Sequence, residues 1–213
     1  MKTDDLIRLL ATGVEAVDPH VAEWRYARAI GFGLAAAGLL MALWLGVRSD
    51  LQQALLGPMF WIKCGFVGSL LGAGLFAALR LSRPGVRLDG VVPLLALPVI
   101  LIWALSAYAL ITTPPGQRVA LLLGETWSVC PWLIALLSLP VFVAVIWAMR
   151  GLAPTRPRAA GFAAGLLAGA CAALVYCLHC PETAAPFIGL WYTLGMLIPA
   201  AVGSVLGPRL LRW

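Results

Sequence analysis

Long charge-free runs dominate this sequence and restrict what it can fold into. Five runs contain no Asp, Glu, Lys or Arg, and a further run is interrupted by Lys63 alone; in chain order they are 29–47, 51–79, 90–117, 126–149, 159–181 and 183–208. Each is near or above the roughly 18 to 20 residues with which a helix crosses about 30 Å of hydrocarbon. The runs are continuously apolar and do not alternate, so the sequence predicts an all-α integral membrane protein with six transmembrane helices and not a β-barrel.

Basic residues are unevenly divided between the two ends of these predicted helices. Twelve of the 15 lie before the first helix, between the second and third, between the fourth and fifth, or after the sixth, and the remaining three are Arg48, Lys63 and Arg118. Because basic residues favour short cytoplasmic segments, we predict three helical hairpins with both termini in the cytoplasm. The net charge of +6 therefore indicates topology and not nucleic-acid binding, since the charges do not form one patch.

The predicted domains are a cytoplasmic tail, 1–28, and a six-helix transmembrane domain, 29–213. Within the tail, apolar residues recur at helical spacing after an acidic start, which predicts a short amphipathic helix ending near Asp18 and Pro19. The apolar stripe consists of Leu6, Leu10, Val14 and Val17, with Leu9 alongside. A helix this short is marginal alone in water. It either rests on the membrane or bundle, or docks in a groove of a partner protein; the acidic start disfavours an anionic membrane surface.

Small residues recur at four-residue spacing in three of the predicted membrane helices. The stripes are Gly161, Gly165 and Gly169 in the fifth helix, Gly68 and Gly72 in the second, and Gly195, Gly203 and Gly207 in the sixth. Because small residues let helix backbones approach closely, these stripes predict helix packing and not a ligand site.

Four of the five cysteines are predicted to lie near the outward ends of the helices, where bacterial compartments are oxidising. These are Cys64, Cys130, Cys177 and Cys180, whereas Cys171 is placed mid-span as a small buried residue. A proline directly follows both Cys130 and Cys180. Because proline favours the first position of a helix, Cys130 is predicted to cap the fourth helix and Cys180 a short turn before the sixth. A helix N-terminus stabilises a thiolate, whereas nearby Glu125 and Glu182 would oppose this.

Three chemical roles remain open for the cysteines at this end of the protein, and a fourth alternative is that they have no chemical role. Cys130 and Cys180 could form a redox pair. The same two cysteines with His179 could bind a soft metal such as Cu(I) or Zn(II). Cys177 and Cys180 could be the C-x-x-C dithiol of a membrane oxidoreductase.

Several motifs resemble the negative regulator of sigma F family over essentially the whole chain. They are MKTDDLIRLLA at the start, WIKCG at 61–65, CPW at 130–132, and HCPE followed by WYTLGMLIP. The resemblance implies a six-helix protein of the bacterial inner membrane that acts as an anti-sigma factor and not as an enzyme. It would hold an extracytoplasmic-function sigma factor at its cytoplasmic face and release the sigma factor under heavy-metal or oxidative stress.

The resemblance also implies residue roles. By motif, the sensor cysteines are Cys130 and Cys180, with no cofactor required and Cu(I) or Zn(II) as a candidate signal. The residues themselves, and not the resemblance, make His179, Glu182, Cys64 and Cys177 candidates for auxiliary sensor or metal roles. The tail residues assigned to the sigma contact are Asp4, Asp5, Leu6, Arg8, Leu9, Leu10, Val14 and Val17.

Two other classes of function compete with this one. The first is a quinone-linked thiol oxidoreductase that uses Cys177 and Cys180. The second is a small metal transporter, which the lack of carboxylates within the apolar runs disfavours. The partners predicted for the leading hypothesis are the sigma factor and the lipid bilayer, with homodimerisation left open and no direct contact with nucleic acid.

Overall fold

The computed structural model describes residues 3–12, 20–83, 85, 88–152 and 154–212, and over these ranges the chain is helical without β-strands. Six helical segments are long and apolar enough to cross a membrane; they are Val21–Leu45, Pro58–Leu81, Val91–Thr112, Cys130–Arg150, Pro157–Tyr176 and Ala185–Leu210. The all-α class and the six predicted apolar helices are therefore confirmed.

The helices are labelled in chain order. They are α1 (Thr3–Ala11), α2 (Val21–Leu40), α3 (Leu51–Leu56), α4 (Pro58–Leu81), α5 (Val91–Thr112), α6 (Arg118–Leu123), α7 (Cys130–Arg150), α8 (Pro157–Tyr176), α9 (Ala185–Phe187) and α10 (Thr193–Leu210). A π-helical turn, Met41–Leu45, extends α2, and another, Ile188–Tyr192, joins α9 to α10. Proline begins or nearly begins α4, α7, α8 and α9, where its missing N–H costs no helical hydrogen bond.

Helix α8 is the centre of the bundle. It is rich in alanine and glycine and buried along most of its length, and it packs against α10, α4 and α7. Helix α2 packs mainly on α7, while α5 packs on α4 and α9. Of the three predicted hairpins, only α8 with α9–α10 packs extensively as a pair among the described residues, so the hairpins are not confirmed as packing units.

The fifth-helix glycine stripe makes a close backbone contact. A Cβ added to Gly161 would lie 2.0 Å from the carbonyl oxygen of Gly203, and one added to Gly165 would lie 2.0 Å from that of Pro199. These distances confirm that glycine brings α8 against α10. The prediction for Gly68 and Gly72 is wrong, because a Cβ at either position would meet nothing within 4 Å. In α4 it is Gly74 that lies against α8, where its added Cβ would be 3.3 Å from the Leu167 backbone.

Helix α1 is amphipathic and has no buried residue. Its apolar side chains are well exposed, with Leu6 at 40% and Leu9 at 68% of full exposure. The helix ends at Ala11, earlier than the predicted end near Asp18 and Pro19. Those two residues, with Val14 and Val17 of the predicted stripe, lie outside the described residues.

Helix α7 runs between two groups of contacts, one at each of its ends. Near its last residue, Arg25 donates to the Gly151 carbonyl (3.3 Å) and Arg150 donates to the Leu210 carbonyl. Near its first residue lie Arg48 and Lys63, which both contact the segment between α8 and α9. We call these the arginine end and the cysteine end.

Candidate thiol site at the cysteine end

Cys130 and Cys180 come together from two separate parts of the chain. Cys130 is the first residue of α7, and Cys180 lies in the non-helical segment that follows α8. Both side chains are fully buried in one cluster, and the two thiols are close enough to interact. The predicted sensor pair is therefore assembled, but beneath the surface and not at an open rim.

The local chain path explains where Cys180 lies. The Cys180 amide donates to the Tyr176 carbonyl (3.0 Å), which completes a last turn after α8. Pro181 then has no N–H with which to continue the helix. The predicted capping roles are wrong, because Val129 precedes the first turn of α7 and Ala184 precedes α9. The matched Cys-Pro pairs thus mark a helix start in one case and a helix exit in the other.

Lys63 is the unexpected member of the site. Its side chain is 0% exposed, and its Nζ donates to the carbonyl oxygens of Cys180 (3.1 Å) and Glu182 (3.0 Å). The ammonium also lies 4.7 Å from the centre of the Tyr192 ring. Within the described parts of the chain it forms no salt bridge with a carboxylate. A buried charge is costly unless other groups compensate it. Here the carbonyl dipoles of Cys180 and Glu182 and the face of the Tyr192 ring stabilise the ammonium.

Sequence reasoning treated Lys63 only as the interruption of an apolar run. The signal that could have found it was its position, because an ionisable residue inside a membrane-length helix indicates a functional site by default. Its partners, two backbone carbonyls from a distant segment, could not be read from the sequence.

Several further contacts hold the segment around Cys180. Arg48 donates through its guanidinium to the Cys180 carbonyl (3.2 Å) and through its amide to the Leu178 carbonyl (3.1 Å). A ring nitrogen of His179 lies 2.9 Å from the Gly46 carbonyl oxygen, and the Glu125 amide donates to the Glu182 carboxylate (2.7 Å). The segment is therefore tied to the chain after α2, to α4 and to the connection before α7.

The surroundings favour a thiolate at Cys180. The hydrogen bond from Cys130 lowers the pKa of the Cys180 thiol, and the positive charge of Lys63 acts in the same direction, while burial opposes both. Thiolates are the reactive form of cysteine toward oxidants and soft metals. Cys180 is therefore the cysteine of the pair that its surroundings favour as the nucleophile, and Cys130 lies beside it.

The structure does not assemble the three-ligand metal set. The His179 ring is bonded to the Gly46 carbonyl, and over the described ranges no three His, Cys, Asp or Glu side chains are grouped so as to hold a metal ion. A metal at this site would have the two sulfurs of Cys130 and Cys180 as its ligands. Glu182 contributes a hydrogen bond to the chain and no metal ligand here.

The C-x-x-C motif does not form a dithiol of its own. The Cys177 thiol interacts with Cys64 of α4, while the Cys180 thiol interacts with Cys130 of α7. Cys177 is fully buried and Cys64 is partly buried. Cys171 is also fully buried, as the sequence predicted for a cysteine that only packs.

The fold and the paired thiols thus define an apolar helical bundle with a buried, basic cysteine site at one end and an exposed amphipathic helix before its first span. Comparison with known proteins assigns the chain to a family: the family model described as negative regulator of sigma F matches residues 10–213. The chain belongs to this family, as the sequence motifs indicated.

Two relatives match along their full lengths. The chain is 61% identical over 213 residues to a probable anti-sigma-F factor of Azospira oryzae, covering 100% of both chains. It is 44% identical over 223 residues to an anti-sigma-F factor of Caulobacter vibrioides, again covering 100% of both. No solved structure matches the chain.

Proposed function

We propose that the protein is a bacterial inner-membrane anti-sigma factor, which holds an extracytoplasmic-function sigma factor at its cytoplasmic face and releases it when Cys130 and Cys180 react with an oxidant or a heavy metal. The regulatory part of the proposal is supported by membership of the negative regulator of sigma F family and by the names of the two relatives. In this arrangement the arginine end faces the cytoplasm, as the preference of basic residues for that side favours.

Helix α1 is the proposed sigma contact. Its apolar residues Leu6, Leu9 and Leu10 are exposed, and a nine-residue helix gains little stability alone in water. An amphipathic helix of this kind binds by laying its apolar face in a groove of a partner. Asp4, Asp5 and Arg8 flank that face and would set the orientation of docking through charge.

The single observation that carries the sensor role is that the thiols of Cys130 and Cys180 are buried together in one cluster and close enough to interact. Oxidation of this pair balances simply: two thiols give two protons and two electrons to the oxidant, and a disulfide forms. A soft metal would instead displace the protons and bind both thiolates. Both signals would change the same contact between α7 and the segment after α8.

A continuous set of contacts joins this pair to the arginine end. Helix α7 begins at Cys130 and ends at Arg150, and Arg25 of α2 donates to the carbonyl of the next residue, Gly151 (3.3 Å). Helix α2 packs along α7, with an added Cβ at Gly33 only 2.8 Å from the Val141 backbone. We infer that α7 and α2 have two arrangements with different affinities for the sigma factor, since allosteric release requires two such states.

The oxidoreductase alternative has less support. It needs Cys177 and Cys180 as one dithiol, whereas these residues bond to different partners. The transporter alternative lacks a buried carboxylate for ion coupling in the described spans, where Lys63 is the one buried side chain of Asp, Glu, Lys or Arg type.

The experiment is a pull-down of the solubilised full-length protein from its native cells, with bound proteins identified by mass spectrometry. The comparison is a variant lacking residues 1–19, which leaves α2 and its buried Tyr26 intact and whose fold is checked by its helical circular dichroism. The expected result is a sigma factor enriched with the full-length protein and lost with the tail. A sigma factor on both samples would move the contact to the arginine end, and a sigma factor on neither would contradict the anti-sigma role.

A further inference from the structure

The cysteine end contains two thiol pairs and not one. Cys177 and Cys180 belong to one C-x-x-C motif, but the free thiol of Cys177 interacts with Cys64 of α4, the helix on which α8 packs, and that of Cys180 interacts with Cys130 of α7. The motif is therefore divided between two helices, α4 and α7. This division distinguishes it from the C-x-x-C of oxidoreductases, in which the two cysteines pair with each other.

The second pair is set by the packing of α4 on α8. Cys64 follows Lys63 in the second turn of α4, and Cys177 directly follows the last residue of α8. The close approach of Gly74 to the Leu167 backbone fixes these two helices against each other farther along. The Cys64–Cys177 contact is thus held by two helices and by a glycine contact, and does not depend on the loop that carries Cys180.

The two sulfurs differ in a way that suits stepwise oxidation. Cys64 is partly exposed and Cys177 is fully buried. The hydrogen bond to Cys64, together with burial, raises the pKa of the Cys177 thiol. Cys177 therefore keeps its proton and donates it toward Cys64, which is the sulfur that a small reagent can reach.

We propose that Cys64 and Cys177 are a second redox site, which forms a reversible disulfide between α4 and the end of α8 on reaction with a small-molecule disulfide. The Cys64 thiolate attacks one sulfur of the reagent, a mixed disulfide forms, and one small thiolate leaves. Cys177 then attacks the Cys64 sulfur as its proton passes to the departing sulfur, and the second small thiol leaves. Two protein thiols are oxidised by two electrons, and one reagent disulfide is reduced to two thiols.

The second site would cross-link a different part of the bundle from the first. A Cys130–Cys180 bond ties α7 to the connection after α8, whereas a Cys64–Cys177 bond ties α4 to α8 itself. Lys63 lies beside both, because its ammonium acts electrostatically on Cys177 and on Cys180. The proposal does not depend on the sigma factor, since it concerns only the chemistry of the four thiols.

The test is oxidation of the purified, fully reduced, full-length protein with dipyridyl disulfide, which releases two thiopyridones for each protein disulfide formed. Linkages are then mapped by mass spectrometry of non-reduced peptides. We expect Cys64–Cys177 and Cys130–Cys180 linkages, with Cys171 as the one remaining thiol of five. A Cys177–Cys180 linkage, or a Cys64 that stays reduced or stops at the mixed disulfide, would overturn the proposal.

Two matched double variants separate the sites. Cys130→Ser with Cys180→Ser should still release two thiopyridones per chain and form the Cys64–Cys177 linkage. Cys64→Ser with Cys177→Ser should retain only the Cys130–Cys180 linkage. If the Cys130→Ser, Cys180→Ser variant elutes as a folded species but forms no disulfide, the second site is not independent and the proposal fails. If that variant does not fold, the linkage map of the unsubstituted chain decides the proposal.

Discussion

Lys63 and Cys180 are joined across the bundle, since the Lys63 ammonium on α4 lies 3.1 Å from the carbonyl oxygen of Cys180 after α8. The same carbonyl accepts a second hydrogen bond from Arg48 (3.2 Å). Two cations on one peptide carbonyl fix the position of the cysteine and bring positive charge close to its sulfur. The arrangement gives the buried thiol pair its basic environment.

Replacing Lys63 with methionine should raise the pKa of Cys180. The positive charge of Lys63 helps to hold that pKa below its ordinary value, and a free cysteine has a pKa of about 8.5. The thiolate should therefore form at a lower pH in the starting protein than in Lys63→Met. The measurement is a titration of thiolate ultraviolet absorbance in protein that keeps only Cys130 and Cys180.

The control for this titration is Arg118→Met. Arg118 also lies near the cysteine end, but its guanidinium donates to the Thr113 carbonyl (3.0 Å) and not to the Cys180 segment. It should leave the midpoint unchanged. Equal midpoints for Lys63→Met and the starting protein would show that Lys63 only fills space.

Two glycine substitutions should differ sharply in their effect on stability. Gly161→Ala would place a Cβ 2.0 Å from the Gly203 carbonyl oxygen, so α8 and α10 must separate, at a cost of about 1–3 kcal/mol for overpacking. Gly68→Ala meets nothing within 4 Å and should leave stability unchanged or raise it by about 0.5–1 kcal/mol.

Thermal unfolding of both variants in the same detergent measures this difference. Gly161→Ala should lower the apparent Tm and Gly68→Ala should not. Similar transitions for the two variants would contradict the close α8–α10 backbone contact.

Polar substitution of the α1 stripe should weaken sigma binding. Leu6→Ser and Leu10→Ser together remove two exposed apolar side chains that are proposed to lie in the partner's groove. Loss of such anchors typically costs about 2 kcal/mol or more of binding free energy, which raises the Kd over tenfold. The control is Thr12→Ala, because Thr12 follows the helix and its hydroxyl only bonds to the Leu9 carbonyl. Affinity is measured by titrating the labelled sigma factor onto the protein in nanodiscs. Unchanged affinity in the leucine variant would place the contact elsewhere.

The sequence predicted the features that depend on local pattern. Apolar runs of membrane length gave six helices at nearly the expected positions, and the Gly161 stripe predicted a close helix contact. The predictions that were wrong depend on which helix faces meet after folding. Gly68 and Gly72 have the same spacing as the true stripe, but spacing does not say which face of α4 is turned toward a neighbour.

The thiol site likewise combines features that the local sequence predicts with features that only the packing of the helices determines. The matched Cys-Pro elements left the pairing of Cys130 with Cys180 as one of three alternatives and the motif resemblance selected it, whereas the Cys64–Cys177 contact and the bonds of Lys63 require the packing of α4 on α8. The expected capping of a turn by Cys180 failed because a proline after a residue fits a helix exit as well as a helix start. His179 was expected near the sulfurs, but the turn after α8 places its ring against the Gly46 carbonyl.

In the proposed mechanism, the redox state of Cys130 and Cys180 controls the affinity for a sigma factor. The test is the Kd of the sigma factor for the protein in nanodiscs, measured in the reduced protein, after oxidation, and after re-reduction. We expect oxidation to raise the Kd at least about fivefold, the low end of typical allosteric coupling, and re-reduction to restore it. Cys130→Ser with Cys180→Ser should bind normally but no longer respond. An equal Kd in the reduced and oxidised states, with the Cys130–Cys180 linkage confirmed by mass spectrometry, would contradict it.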